Sequence, residues 1–260
     1  MEDTIILETR NLRKEFGALV AVDNVSLRVR ANTIHSIIGP NGAGKTTLFN
    51  LLSNAFEPTD GKVFFEGRNI TQLPMHRIAH LGIGRSFQIT NLFPNLTALE
   101  NVRLAAQAMG KDNFRLLRSA SHFTRYEQRA WEVLQQVGLA DRALMLARAL
   151  PHGDQRKLEL ALILAPDPRL ILLDEPTAGM ASEQVPEMLE LINQIRQSGN
   201  KTVILVEHNM NVVMNISDTI TVMHLGRILA EGTPAEIAAN SEVQSAYLGK
   251  LYGDLGKGEA

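Results

Sequence analysis

The run TIHSIIGPNGAGKTT, residues 33–47, constrains this chain more than any other stretch. A short apolar strand runs into G-x-x-x-x-G-K-T, and a helix is expected from about Gly44 to Asn54. Glycines at that spacing let the backbone curl so that its N–H groups face inward, and the helix N-terminus adds partial positive charge. The pattern therefore builds a polyphosphate cradle from Gly39, Pro40, Asn41, Gly42, Ala43, Gly44, Lys45, Thr46 and Thr47. Lys45 is placed to reach the β- and γ-phosphates, and the Thr46 hydroxyl to ligate Mg²⁺. The expected ligands are a nucleoside triphosphate and Mg²⁺. The strand–loop–helix context predicts an α/β fold with a P-loop NTPase core.

A second apolar run, RLILLDEP, ends in Asp174 and Glu175. A carboxylate at such a strand end can hold Mg²⁺ through water, and the next one can polarise an attacking water. TVILVEH, ending at His208, reads as another buried strand, with helix from about Ser182 to Gln197 between the two. That alternation implies a mainly parallel sheet. Residues 5–38 alternate as β, with IILETRNL and VDNVSLRV as strands, and PTDGKVFFEGRNI reads as a turn and hairpin strand. This predicts an N-terminal antiparallel β subdomain. From Thr97 to about Leu150 the pattern turns helical and encloses a polar stretch, GKDNFRLLRSASHFTRYEQ. TVMHLGRILAEG then reads as two short strands, and PAEIAAN and EVQSAYLG as two short helices. One ATPase domain is expected over 1–260. Residues 1–95 and 166–260 form its nucleotide-binding core with the β subdomain, and 96–165 form an inserted helical subdomain.

Composition narrows the class. The 260 residues carry a formal charge of -2, which supplies no field for nucleic acid. With no cysteine there is no disulfide, thiolate metal site or Cys nucleophile. MEDTIILETR starts acidic and lacks the basic flank and apolar stretch of a secretory signal, and no apolar run approaches the roughly 20 residues of a spanning helix. The tail LYGDLGKGEA is expected to be loose.

Four further features occur in a fixed order around these motifs: Phe16 in KEFGALVAV, Gln88 in RSFQITNLF, LPHGDQRKLELA shortly before RLILLDEP, and His208. This order resembles the ATP-binding subunits of ABC transporters across nearly the whole chain. The resemblance implies that Phe16 stacks on adenine and that Gln88 links metal and γ-phosphate to a membrane partner. It makes Glu175 the catalytic base and His208 the contact to the γ-phosphate. The polar insertion, VEHNMNVVMNISD and EGTPAEIAANSEVQSAYLG are similar to ATPases of branched-chain amino acid importers, most to the larger of the two ATPase types in those systems. The likeness is shared in part by the lipopolysaccharide-export ATPase, and a non-transport ABC ATPase is a further alternative. The importer reading implies two transmembrane permeases, a second ATP-binding subunit, an indirect solute-binding protein and a position on the cytoplasmic face of the cell membrane.

LPHGDQ, residues 150–155, occupies the place where the family usually has LSGGQ. Leu150 and Gly153 match; Pro151, His152 and Asp154 do not. The family points this helix start at ATP bound by the opposite subunit, so Gly153 counts among the nucleotide-binding residues. Pro151 has neither hydroxyl nor N–H to donate, and Asp154 is expected to bring negative charge near phosphate. Ala181 in AGMASE stands where the family has Asp or Asn. A charge-assisted hydrogen bond contributes roughly 1.5–3 kcal/mol. Its loss weakens closure over the opposite nucleotide by about tenfold or more. The expected assembly is a heterodimer with unequal sites.

Overall fold

The computed structural model describes residues 4–86, 92–110, 124–198 and 200–247. Gln88, residues 111–123 of the polar stretch and the tail from 248 onward lie outside the described residues.

Two sheets meet over a shared core. The first is antiparallel and built on the long strand β1 (Ile5–Phe16), which pairs with β2 (Leu19–Val25), β3 (Arg28–Arg30) and β5 (Asp60–Phe65). The short β6 (Arg68–Asn69) closes its edge. The second sheet has six strands in the order β11-β10-β4-β9-β8-β7. These are β4 (Ile34–Ile38), β7 (Ile83–Arg85), β8 (Leu170–Asp174), β9 (Thr202–Val206), β10 (Thr219–His224) and β11 (Arg227–Gly232). All its neighbours run parallel except the β10–β11 hairpin. The fold is the P-loop NTPase α/β fold, with its antiparallel β subdomain and helices inserted between β7 and β8.

The apolar runs explain the layers. β4 and β9 are buried at every position, as a strand covered on both faces must be. Along β8 and β9, successive side chains point to opposite faces. Ile171, Leu173, Val203 and Leu205 join one core with α3 (Ala98–Ala108), α4 (Thr124–Gln136), α5 (His152–Leu164) and α6 (Val185–Ser198). Leu170, Leu172, Ile204 and Val206 face a second core, with α1 (Lys45–Leu52) and the antiparallel sheet. The central strands thus bind both halves of the molecule, and full burial contributes about 1.5–3 kcal/mol for each large apolar side chain. A third, smaller cluster joins Ile38, Ile220 and Val222 to Val213 of α7 (Met210–Ile216), Ile237 of α8 (Pro234–Ala239) and Val243 of the helical segment 241–247.

Two local details depart from the sequence reading. VDNVSLRV is not one strand: it breaks after Val25, with Asn24 at φ 55, and resumes at Arg28. β1 pairs with the first part through Leu12↔Val25 and with the second through Leu7↔Val29, so the chain shifts register between them. A helix, α2 (Met75–Leu81), also occupies a stretch to which no element was assigned. It lies between Pro74 and a left-handed Gly82, the usual punctuation of a short helix.

Candidate nucleotide site

The strand order places the functional loops side by side. β9 lies between β4 and β8, so the P-loop, Asp174–Glu175 and Glu207–His208 all leave the carboxyl ends of adjacent strands. Ligands of open α/β sheets bind at that edge.

The loop is shaped by two obligatory glycines. A Cβ on Gly39 would lie 2.3 Å from the Met223 carbonyl oxygen, and one on Gly44 (φ +97) would lie 2.3 Å from that of Ala21. Ala43 is tied to the β10–β11 turn by Gly226 N–H donating to its carbonyl (3.0 Å), and Asp23 N–H of β2 donates to Gly226 in turn (2.8 Å). Arg227 and Arg13 flank the Asp23 carboxylate. The hydrogen bond from Arg227 is the main cause holding the Asp23 carboxyl below its ordinary range, against the opposing pull of desolvation. α1 opens at Lys45 with no side-chain cap and no acid in its first turn, which leaves its N-terminal N–H groups to an anion. Lys45 Nζ donates to the carbonyls of Gly39 (2.7 Å) and Pro40 (3.1 Å). Thr46 is exposed and Thr47 half-buried.

Asp174 ends β8, and its backbone N–H donates to Ser86 Oγ (2.9 Å) while Ser86 N–H donates to Leu172 (2.8 Å). Ser86 therefore fixes the strand end one residue before the stretch that contains Gln88. Glu175 turns at φ 49, a conformation uncommon outside glycine that recurs at functional sites. The turn is held by Glu175 N–H donating to Val206 (2.9 Å). It brings Glu175 Oε1 to 3.4 Å from His208 Nδ1, with both side chains open to solvent at 44% and 63%. Beneath them Glu207 is buried and accepts from Thr177 Oγ1 (2.6 Å) and the His208 N–H (3.2 Å). Nothing about Glu207 in the sequence separates it from an ordinary strand-end acid. Arg85 was also not foreseen. It donates to Asn50 Oδ1 of α1 and to Ser53 Oγ at the C-terminal cap of that helix, both at 2.5 Å. Burial lowers its pKa, with the Asp174 charge pulling it back up.

Phe16 ends β1 with its ring 45% exposed. The ring sits edge-on to Phe56 at 5.6 Å, with Lys14 Nζ 5.2 Å from its centroid. Gly153 lies buried in the first turn of α5, where a Cβ would meet the Gln184 side chain at 3.0 Å. α5 begins directly behind Pro151, as the sequence suggested. The reading of Asp154 needs correction. Its carboxylate does not stand out as an uncompensated charge: it pairs with Arg142, lies 4.0 Å from Lys157 and is 13% exposed. Arg142 belongs to the short 3-10 turn after α4, a contact that only the tertiary fold creates. α5 also grips the segment after Glu175, through Arg156 donating to the Ala178 carbonyl (3.3 Å) and His152 lying against Gly179.

The ABC transporter profile matches residues 22–178, which span the P-loop, α5 and the Asp174–Glu175 pair. The chain belongs to the ABC transporter family. A second profile, branched-chain amino acid ATP-binding cassette transporter, matches residues 227–251. The chain is 42% identical to the high-affinity branched-chain amino acid transport ATP-binding protein BraF of Pseudomonas aeruginosa, over 94% of this chain and 98% of that protein. It is 40% identical to LivG of Escherichia coli, named likewise, with the same coverage. It is 33% identical to the lipopolysaccharide export ATP-binding protein LptB of Haemophilus influenzae, over 95% and 98%. Among solved structures, the ADP conformation of an ABC transporter cassette superposes with TM-score 0.81 at 28% identity, covering 94% and 99%. This ABC chain is accordingly a nucleotide-binding ATPase whose hydrolysis is coupled to transport.

Proposed function

We propose that this chain is the ATPase of an importer for branched-chain amino acids or a related small solute. It would act on the cytoplasmic face of the membrane with two permeases, a second ATPase and, indirectly, a solute-binding protein. The observation that carries the reading is the Glu175–His208 pair beside an intact P-loop, in a chain nearer to BraF and LivG than to LptB. Among the described residues no helix is long and apolar enough to cross a membrane, so the permeases would supply the pathway.

In this reading the P-loop N–H groups and Lys45 hold the phosphates, and Lys45 must first leave the Gly39 and Pro40 carbonyls. Phe16 offers its exposed ring to the base. Thr46 and Asp174 supply hydroxyl and carboxylate oxygens, the donors that a hard cation such as Mg²⁺ takes. When bound there, Mg²⁺ neutralises charge on the β- and γ-phosphates. Glu175 orients the attacking water, and His208, held at its side, faces the γ-phosphate. Gln88 would complete the metal site and contact the permease.

The fold offers the permease a seat. An apolar cleft of about 320 Å³, lined by Met75, Ile78, Ile83, Leu162 and Ile163, opens beside Ser86. Arg85 lines the same cleft and reaches α1, so a helix docked there would press on the P-loop helix.

Pro151 and Ala181 favour a heterodimer. The site completed by this chain's Gly153 lacks the donors that a second, different ATPase would bring to Lys45 and Glu175. Asp154, paired with Arg142, does not add to that weakness. Purification in mild detergent with its membrane partners tests the whole reading. Two permeases and a second ATPase are expected; a homodimer on a single permease pair would move the chain to the exporter class. Within the assembly, Pro151→Ser should raise ATP turnover, and unchanged turnover would remove the unequal-site proposal.

A further inference from the structure

Glu207 follows Val206, the last residue of β9, and is 1% exposed. A carboxylate taken that far from water is costly unless its oxygens are satisfied, and both are. Oε1 accepts from the Thr177 hydroxyl (2.6 Å) and the Thr177 N–H (3.4 Å), while Oε2 accepts from the His208 N–H (3.2 Å). One side chain therefore holds the two segments that carry Glu175 and His208. Thr177 sits inside a tight turn that Glu175 opens. The Ala178 N–H donates to the Glu175 carbonyl (3.0 Å), and Pro176 takes the second position, where its fixed φ suits such a turn. Pinning Thr177 thus pins the backbone of Glu175. The Glu175 and His208 side chains are themselves open to solvent, so the buried clamp beneath them sets their spacing.

We propose that Glu207 is a positioning residue for ATP hydrolysis: it clamps the Thr177 turn to the His208 N–H and so fixes Glu175 against His208. The clamp requires a carboxylate. A Gln side chain has one acceptor oxygen and an NH₂ group that only donates, so it would meet either Thr177 or the His208 N–H donor to donor. An Asp is one methylene short. The same turn runs on to Ala178, whose carbonyl accepts from Arg156 of α5 (3.3 Å), so the clamp also ties the hydrolytic pair to the helix that begins behind Pro151. The inference rests on Glu175 as the acid that orients water, a premise that Glu175→Gln tests separately. Native turnover in that variant removes the premise, and the proposal with it, irrespective of Glu207.

The experiment measures turnover in the assembly purified in mild detergent, and binding of a non-hydrolysable ATP analogue with Mg²⁺ to the full chain. Misplacing an orienting group by about 1 Å costs up to about a hundredfold in rate. Glu207→Gln should therefore lower turnover at saturating ATP by about tenfold to a hundredfold, with the dissociation constant of the analogue unchanged. In a Glu175→Gln background the same change should cost nothing further, because the group it positions is gone. Thr177→Val, which removes the hydroxyl arm of the clamp, should show the same split between turnover and binding. Thr177→Ser, which keeps the hydroxyl, should retain most of the turnover, and this pair carries the test if Glu207→Gln does not fold. Native turnover in Glu207→Gln or in Thr177→Val would overturn the proposal. So would a turnover loss matched by an equal loss of analogue binding, a further loss in the Glu175→Gln background, or equal losses in Thr177→Ser and Thr177→Val, because Glu207 would then be serving only the fold.

Discussion

His35 sits in the strand that carries the P-loop and should make the fold acid-sensitive by a calculable amount. Its ring is 1% exposed, and Nε2 lies 2.7 Å from Thr221 Oγ1, which itself donates to Glu231 Oε2 (2.7 Å). Burial lowers its pKa from the ordinary 6.5 to about 4. The folded chain therefore keeps His35 neutral where the unfolded chain protonates it. Between those two values the unfolded state binds the extra proton, so stability falls as pH falls and is flat above about 6.5. The full shift corresponds to about 3 kcal/mol. Lowering the pH from 7.5 to 5 should remove about 2 kcal/mol of it, a large part of the roughly 5–15 kcal/mol typical of a domain. The assay is urea denaturation at both values for the native chain and for His35→Gln. Carboxylate titrations are common to both proteins and cancel in the difference. The variant should lose about 2 kcal/mol less than the native chain on acidification, whatever its starting stability. Equal losses would mean that His35 is protonated in the fold.

Three further outcomes follow from the site. Gly44→Ala should weaken nucleotide binding by more than about a hundredfold, because its Cβ meets the Ala21 carbonyl, whereas Gly42→Ala, with nothing within 4 Å, should cost only about 1–2 kcal/mol of left-handed strain; equal effects on nucleotide titration would refute the geometry. Glu175→Gln should bind ATP normally while turnover falls by about a hundredfold or more, and native turnover would move the base elsewhere. Arg142→Met should lower denaturation stability by about 1 kcal/mol, with Asp154→Asn in the same protein restoring most of it; no recovery would mean that the pair does not balance Asp154.

What could be read from the sequence was local. The P-loop is nine contiguous residues whose spacing is its geometry, and β4, β8 and β9 announce themselves as largely apolar runs because strands covered on both faces are predominantly apolar. The start of α5 behind Pro151 was legible for the same reason. Partner choice was not. That Glu175 meets His208, that Ser86 holds Asp174 and that Asp154 turns to Arg142 depends on strand order and on which helix lies over which loop. Neither is encoded within any short window. Glu207 and Arg85 look in sequence like ordinary charges at strand ends, and only their fixed partners in the fold give them work.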